Sequence, residues 1–110
     1  VERPEIPPEY HDAFMKLTGY CVQAADHVVT AARAYFRDVG KVRDHINKVD
    51  FYESEADRAA LKLKHLIFRS ELDLSLKMHL RYFAEQIESI SDLAEHVSER
   101  LGIAAIKRSL

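Results

Sequence analysis

The sequence predicts an all-α protein, an antiparallel up-down-up three-helix bundle of long helices. Three observations carry that expectation. Apolar residues recur at alternating steps of three and four through three stretches of roughly 28 residues, the spacing of a single buried stripe on a helix. All three prolines precede residue 9, and Gly40 and Gly102 stand at the ends of such stretches. The composition agrees: 47% apolar and 31% charged residues, with no Trp, is the profile of a soluble, helix-rich chain.

The elements follow in order. Residues 1–9 read as a Pro-rich linker or lead-in, because Pro4, Pro7 and Pro8 forbid a regular helix and favour an extended backbone. The bundle is expected over residues 10–102. Its first helix runs from Tyr10 to Asp38, with Phe14, Leu17, Cys21, Ala24, Val28, Ala31 and Tyr35 on the buried seam. A second apolar stripe, Met15, Val22, Val29 and Phe36, lies about a quarter-turn or more away. It either widens the face that meets two neighbouring helices or meets a second bundle. Gly40 ends this helix or makes the turn.

The second helix spans Lys41 to Arg69, with Val42, Ile46, Val49, Ala56, Ala60, Leu63 and Ile67 on its seam. Glu53 occupies a position in that seam where an apolar residue belongs. Ser70-Glu-Leu-Asp73 breaks the pattern, with Ser70 or Asp73 as N-cap of the third helix. That helix is read to Leu101 with Phe83, Ile87, Ile90, Ala94, Val97 and Leu101 on the seam. Gly102 closes it, and residues 103–110 form a C-terminal tail.

Composition narrows the functional classes. No apolar run reaches the roughly 20 residues of a membrane span, so the chain is at most peripheral to a membrane. A formal charge of −2 gives no general attraction to nucleic acid. The single cysteine, Cys21, has no partner for an internal disulfide, which fits a reducing cytoplasm. The chain starts at Val1 with no Met and no signal-peptide pattern, as a fragment of a longer protein would. No HExxH, phosphate-binding glycine loop, nucleophile elbow or CxxC is present, so enzymatic activity is not expected.

The feature with chemical content is an acidic signature that occurs twice, Glu53-Ser-Glu-Ala-Asp57 and Glu88-Ser-Ile-Ser-Asp92. Four-residue spacing stacks the two carboxylates of each pair one turn apart. A carboxylate at the buried edge needs a cation, a partner or a proton. For Glu53 and Asp57 the readings are a bound metal, a salt bridge to a nearby Arg or Lys, or simple exposure. Glu88 and Asp92 fall opposite the Phe83–Ile87–Ile90 seam on the same wheel, among Glu85, Glu95 and Glu99, and read as a solvated outer face or a second acidic ligand set. His96 follows Asp92 by one turn and adds a candidate nitrogen ligand.

The segments His45–Asp57 and Ser91–Leu101, with the junction Leu66–Asp73 between them, resemble the PhoU-like family, and more closely its branch of phosphate-transport regulators. The resemblance covers residues 10–105 and rests on short helical motifs. It implies a unit of a tandem three-helix repeat, the C-terminal one, whose missing N-terminal repeat or a second copy completes the assembly. It also implies a transition metal (iron, manganese, zinc or nickel) held by acidic helices. Glu53 and Asp57 match the family's first signature and Asp92 the aspartate of its second. Glu88 fits the broader family's pattern, Glu95 is an added acid, and His96 stands where relatives of the broader family often have Asn. The implied role is to modulate inorganic phosphate uptake or its signalling by contact with a transporter or signalling protein. The bare alternative is a helical oligomerisation module whose acids are solvated and bind no metal.

Overall fold

In the computed structural model, residues 5–110 are described; residues 1–4 of the expected lead-in lie outside them. Three helices follow one another: α1 (His11–Arg37), α2 (Val42–Phe68) and α3 (Leu74–Ser109). Connections of a few residues force consecutive helices to run antiparallel, and each helix packs on both others. The result is a rod of 57 × 26 × 18 Å and the expected all-α three-helix bundle.

The lead-in is docked from Ile6 onward. Pro7 has the extended conformation that its ring imposes, and Pro8–Tyr10 form a 3₁₀ turn into α1. Ile6 packs on the core, its carbonyl bonds the His11 ring at 2.8 Å, and Tyr10 is buried. A short apolar plug thus closes one end of the bundle.

The turn between α1 and α2 is made by Asp38. Its backbone leaves the helical region (φ −153°, ψ 85°), and its N–H still bonds the Ala34 carbonyl at 2.7 Å. Gly40 sits inside the 3₁₀ turn Val39–Lys41 and so helps make the turn as expected, without a positive φ. The second junction follows expectation: Asp73 caps α3 by accepting the Leu76 N–H at 2.8 Å. Lys77 reaches back to the last carbonyl of α2, that of Phe68, at 3.1 Å.

Two expectations for α3 are corrected. Gly102 does not end the helix, which continues through the supposed tail to Ser109. Gly102 is buried where a Cβ would meet the Ile46 side chain at 3.2 Å, so close approach to α2 explains the glycine. The last turns are held down by Arg108, which donates to the Tyr35 carbonyl at 2.7 Å and stacks over that ring at 5.2 Å.

The second correction is the phase. The buried residues of α3 are Leu80, Ala84, Ser91, Ala94, Ser98 and Gly102, while Phe83, Ile90 and Val97 are exposed. Ala94 of the expected stripe is buried and Ile87 and Leu101 pack on the core. The other half of the stripe shifts by one position to Ala84, Ser91 and Ser98, so the buried face is turned by less than one full residue step of about 100°. Small residues win the centre because they let α3 come close to two helices at once. Ser91 and Ser98 remain satisfied when buried, donating to the Glu88 and Glu95 carbonyls at 2.8 and 2.9 Å.

The core is uneven along the rod. One end is filled by Leu17, Leu63, Ile67 and Leu80, each fully buried and worth ~1.5–3 kcal/mol of apolar transfer. The waist has just Ala24, Val49 and Ala94 buried, with the half-buried Val28 and Tyr52 packed against them. Glu53 sits beside that thin waist.

Candidate metal centre

The roll of α3 decides the site. With small residues at the centre, the next positions around the helix face α2, and these are acids. Antiparallel packing then sets the α3 acids against the acidic signature of α2. Glu53 is 9% exposed, whereas Asp57 and Asp92 open to solvent. One carboxylate oxygen from each of these three comes within 4.8 Å of the other two. Cation–oxygen bonds of about 2.0–2.6 Å put two ligands of one ion at most ~5 Å apart, so the three can share an ion.

Two further carboxyls join them. Glu95 and Asp57 both lie within hydrogen-bonding reach of Glu53, and Glu88 lies within reach of Asp57. Five acids therefore form a continuous chain along the α2/α3 seam, in the order Glu95, Glu53, Asp57, Glu88, with Asp92 beside Asp57. Carboxyls this close cannot all be ionised without a compensating charge. Burial pushes Glu53 up to about 8, and the facing Glu95 and Asp57 push it the same way. Burial, then Asp57 and Asp92, raise Glu88 to about 7 even though the Lys64 ammonium opposes them.

Of the sequence candidates, Glu53, Asp57 and Asp92 converge, and Glu88 and Glu95 adjoin them. The expectation that Glu88 and Asp92 form an outer face opposite the core is overturned by the helix roll. Glu88 retains only 16% of its side-chain exposure. His96 is exposed, and the three converging donors do not include it.

Three neighbours were not linked to the acids from the sequence. Lys64 ends the chain of acids, 3.6 Å from both Glu85 and Glu88. Cys21 of α1 lies against the site: burial raises its thiol, Glu88 and Asp92 push it the same way, and the adjoining Ser91 opposes them. Asp50 is raised by burial and then by Glu99, extending the acidic seam toward the far end. The signal for them is a seven-residue ladder. Asp50, Asp57 and Lys64 share one side of α2, and Glu85, Asp92 and Glu99 share one side of α3. Running antiparallel, the ladders meet as Asp50 with Glu99, Asp57 with Asp92, and Lys64 with Glu85.

The chain is similar to a protein of Thermotoga maritima described as a UPF0111 protein, 26% identical over 108 residues. Those residues are 98% of this chain and 51% of that protein, so the chain spans about half the length of the relative it matches. No protein-family model matches the chain. No solved structure matches it either.

Proposed function

We propose that this chain is a regulatory helical module of the PhoU-like kind that binds a hard metal cation on its α2/α3 seam and acts by protein contact, not by catalysis. The carrying observation is the convergence of Glu53, Asp57 and Asp92 oxygens within 4.8 Å, with Glu88 and Glu95 adjoining. A cation supplies the compensating charge that the five carboxyls otherwise need as protons. An all-carboxylate donor set suits manganese better than zinc or nickel, which favour nitrogen or sulfur ligands, and carboxylate-rich helix bundles also hold iron. Exposed Asp57 and Asp92 leave the ion open to water or to an acidic or phosphate-bearing partner.

The phosphate-transport role rests on the resemblance of the segments around Glu53–Asp57 and Ser91–Leu101 to phosphate-transport regulators. A cytoplasmic setting, in contact with a transporter or its signalling protein, fits that role. Among the described residues, no helix is long and apolar enough to cross a membrane.

Elemental analysis of protein purified without chelator or affinity metal tests the metal reading. Stoichiometric manganese or iron is expected in the wild type, and none in E53A/D57A. Metal absent from both, after loading with either ion, removes the metal from the reading. Uptake of radiolabelled inorganic phosphate by cells lacking the gene, with and without a plasmid copy, tests the transport role; equal uptake in both removes that part.

A further inference from the structure

The α1/α3 seam is edged by two apolar ladders, with the exposed Asp26 one turn from Val22 and Val29. On α1, Met15, Val22, Val29 and Phe36 recur every seven residues and are 68, 47, 48 and 76% exposed. On α3, Phe83, Ile90 and Val97 recur at the same interval and are 40–47% exposed. The Phe83 ring stacks on Phe14 of α1 at 5.4 Å, which places the α3 ladder on the α1 side of the bundle. Between the ladders lie the small, half-buried Thr18, Ala25 and Ala32 of α1 and the half-buried Ile87 and Leu101 of α3. Thr18 turns its hydroxyl to the Phe14 carbonyl at 2.9 Å, so the floor is apolar throughout.

We infer that this face is the contact surface for a second copy of the chain, packed antiparallel about a two-fold axis near Ala25. Three features favour a second copy. First, the exposed area of the two ladders with neighbouring Leu93 is roughly 800 Å², what one partner contributes to a standard interface. Second, the α1 ladder reads large, small, small, large in both directions. An antiparallel copy in that register sets Met15 against the partner's Phe36 and Val22 against the partner's Val29, while Ala25 lets the backbones approach. A two-fold interface needs such self-complementarity. Third, the ladders contain no Asp or Glu, and the carboxylate chain lies on the other flank of α3. Two copies can therefore meet without opposing their acidic seams.

The inference is independent of the metal reading, since the dimer is expected with or without chelator. Light scattering on the eluting chain at micromolar concentration measures it. The wild type should show twice the 12.7 kDa chain mass. V22E and V29E should each halve that mass while keeping their helical circular dichroism, because both positions are outside the core. V22E/V29K should restore the dimer, because each new acid then faces a new base across the axis. L61E, an exposed change on α2, should leave it intact. A monomeric wild type overturns the inference and gives the face to another occupant, such as the further length found in the relative. A dimer that survives V22E and V29E overturns the surface. A V22E/V29K chain that stays monomeric overturns the antiparallel register.

Discussion

The two flanks of α3 share one backbone and one row of small core residues, yet they have opposite chemistry. Toward α2 it presents Glu88, Asp92 and Glu95; toward α1 it presents Phe83, Ile90 and Val97. Both flanks exist because Ala84, Ser91, Ala94, Ser98 and Gly102 draw α3 close enough to neighbours for edge positions to meet edge positions. The acidic flank is unfavourable to itself and is relieved by protons or a cation. The apolar flank is unfavourable to water and is relieved by another surface. The centre thus holds the fold, and each edge is left incomplete.

Filling the shared centre should give the largest effect, because it disturbs both flanks together. Ser91 is fully buried, with Cys21 against it. Ser91→Leu must push α3 away from α1 and should cost about 1–3 kcal/mol, read as a lower urea midpoint at unchanged slope. Ser91→Ala keeps the small volume and should lose less than half as much. If Leu is tolerated like Ala, the small-residue centre is not what sets the helix spacing.

The acidic flank alone should respond to pH. Glu53 moves from an ordinary 4.5 to about 8 on folding, so the folded chain holds a proton that the unfolded chain has released between those values. Stability without metal is therefore full below about pH 4.5 as far as Glu53 is concerned, and declines as pH rises through about 8. Glu88, raised to about 7, adds the same sign. Glu53→Gln keeps the size and supplies permanent N–H donors to its acidic neighbours. It should flatten the decline and raise the metal-free melting temperature near pH 8 while abolishing metal uptake. Chelator-treated wild type with a flat melting profile across that range would show that the acids are fully solvated. Opposite signs for stability and metal binding in one substitution distinguish a ligand from a residue that merely packs.

The difference between the flanks also marks where sequence reasoning reached its limit. The heptad steps in α1 and α2 located every buried residue of those helices, including Glu53, because their seams are built from residues that read as apolar. In α3 the same rule followed Phe83, Ile90 and Val97, the largest apolar residues, and missed Ser91, Ser98 and Gly102. Size announces hydrophobicity along one strand of sequence, but closeness of approach is a property of three helices together. That partial turn of the buried face moved Asp92 from the supposed outside to the α2 flank, where it meets Asp57. Gly102 misled in the same way, reading as a helix end when it is a contact point for Ile46 and Arg43.

The smallest expected effect isolates the single rung of the acidic ladder that is already paired. Lys64 stands 3.6 Å from Glu85 and from Glu88, and its side chain is 24% exposed. Glu85 is further engaged by Arg81 at 2.9 Å, which with Lys64 holds its carboxyl below the usual range. Removing Lys64 therefore leaves Glu85 paired and falls mainly on Glu88, whose pKa should rise further. Lys64→Ala should lower metal-free stability near pH 8 by less than about 1 kcal/mol and leave it unchanged below about pH 4.5, where Glu88 carries its proton in either state. Salt should shrink the difference, since the pair is partly exposed to solvent. A loss of the same size at both pH values would mean that the lysine's aliphatic stem packs the seam and its charge is immaterial. Loss confined to high pH would show that one fixed cation at the end of the acid chain does on a small scale what a bound ion at Glu53, Asp57 and Asp92 would do for the rest.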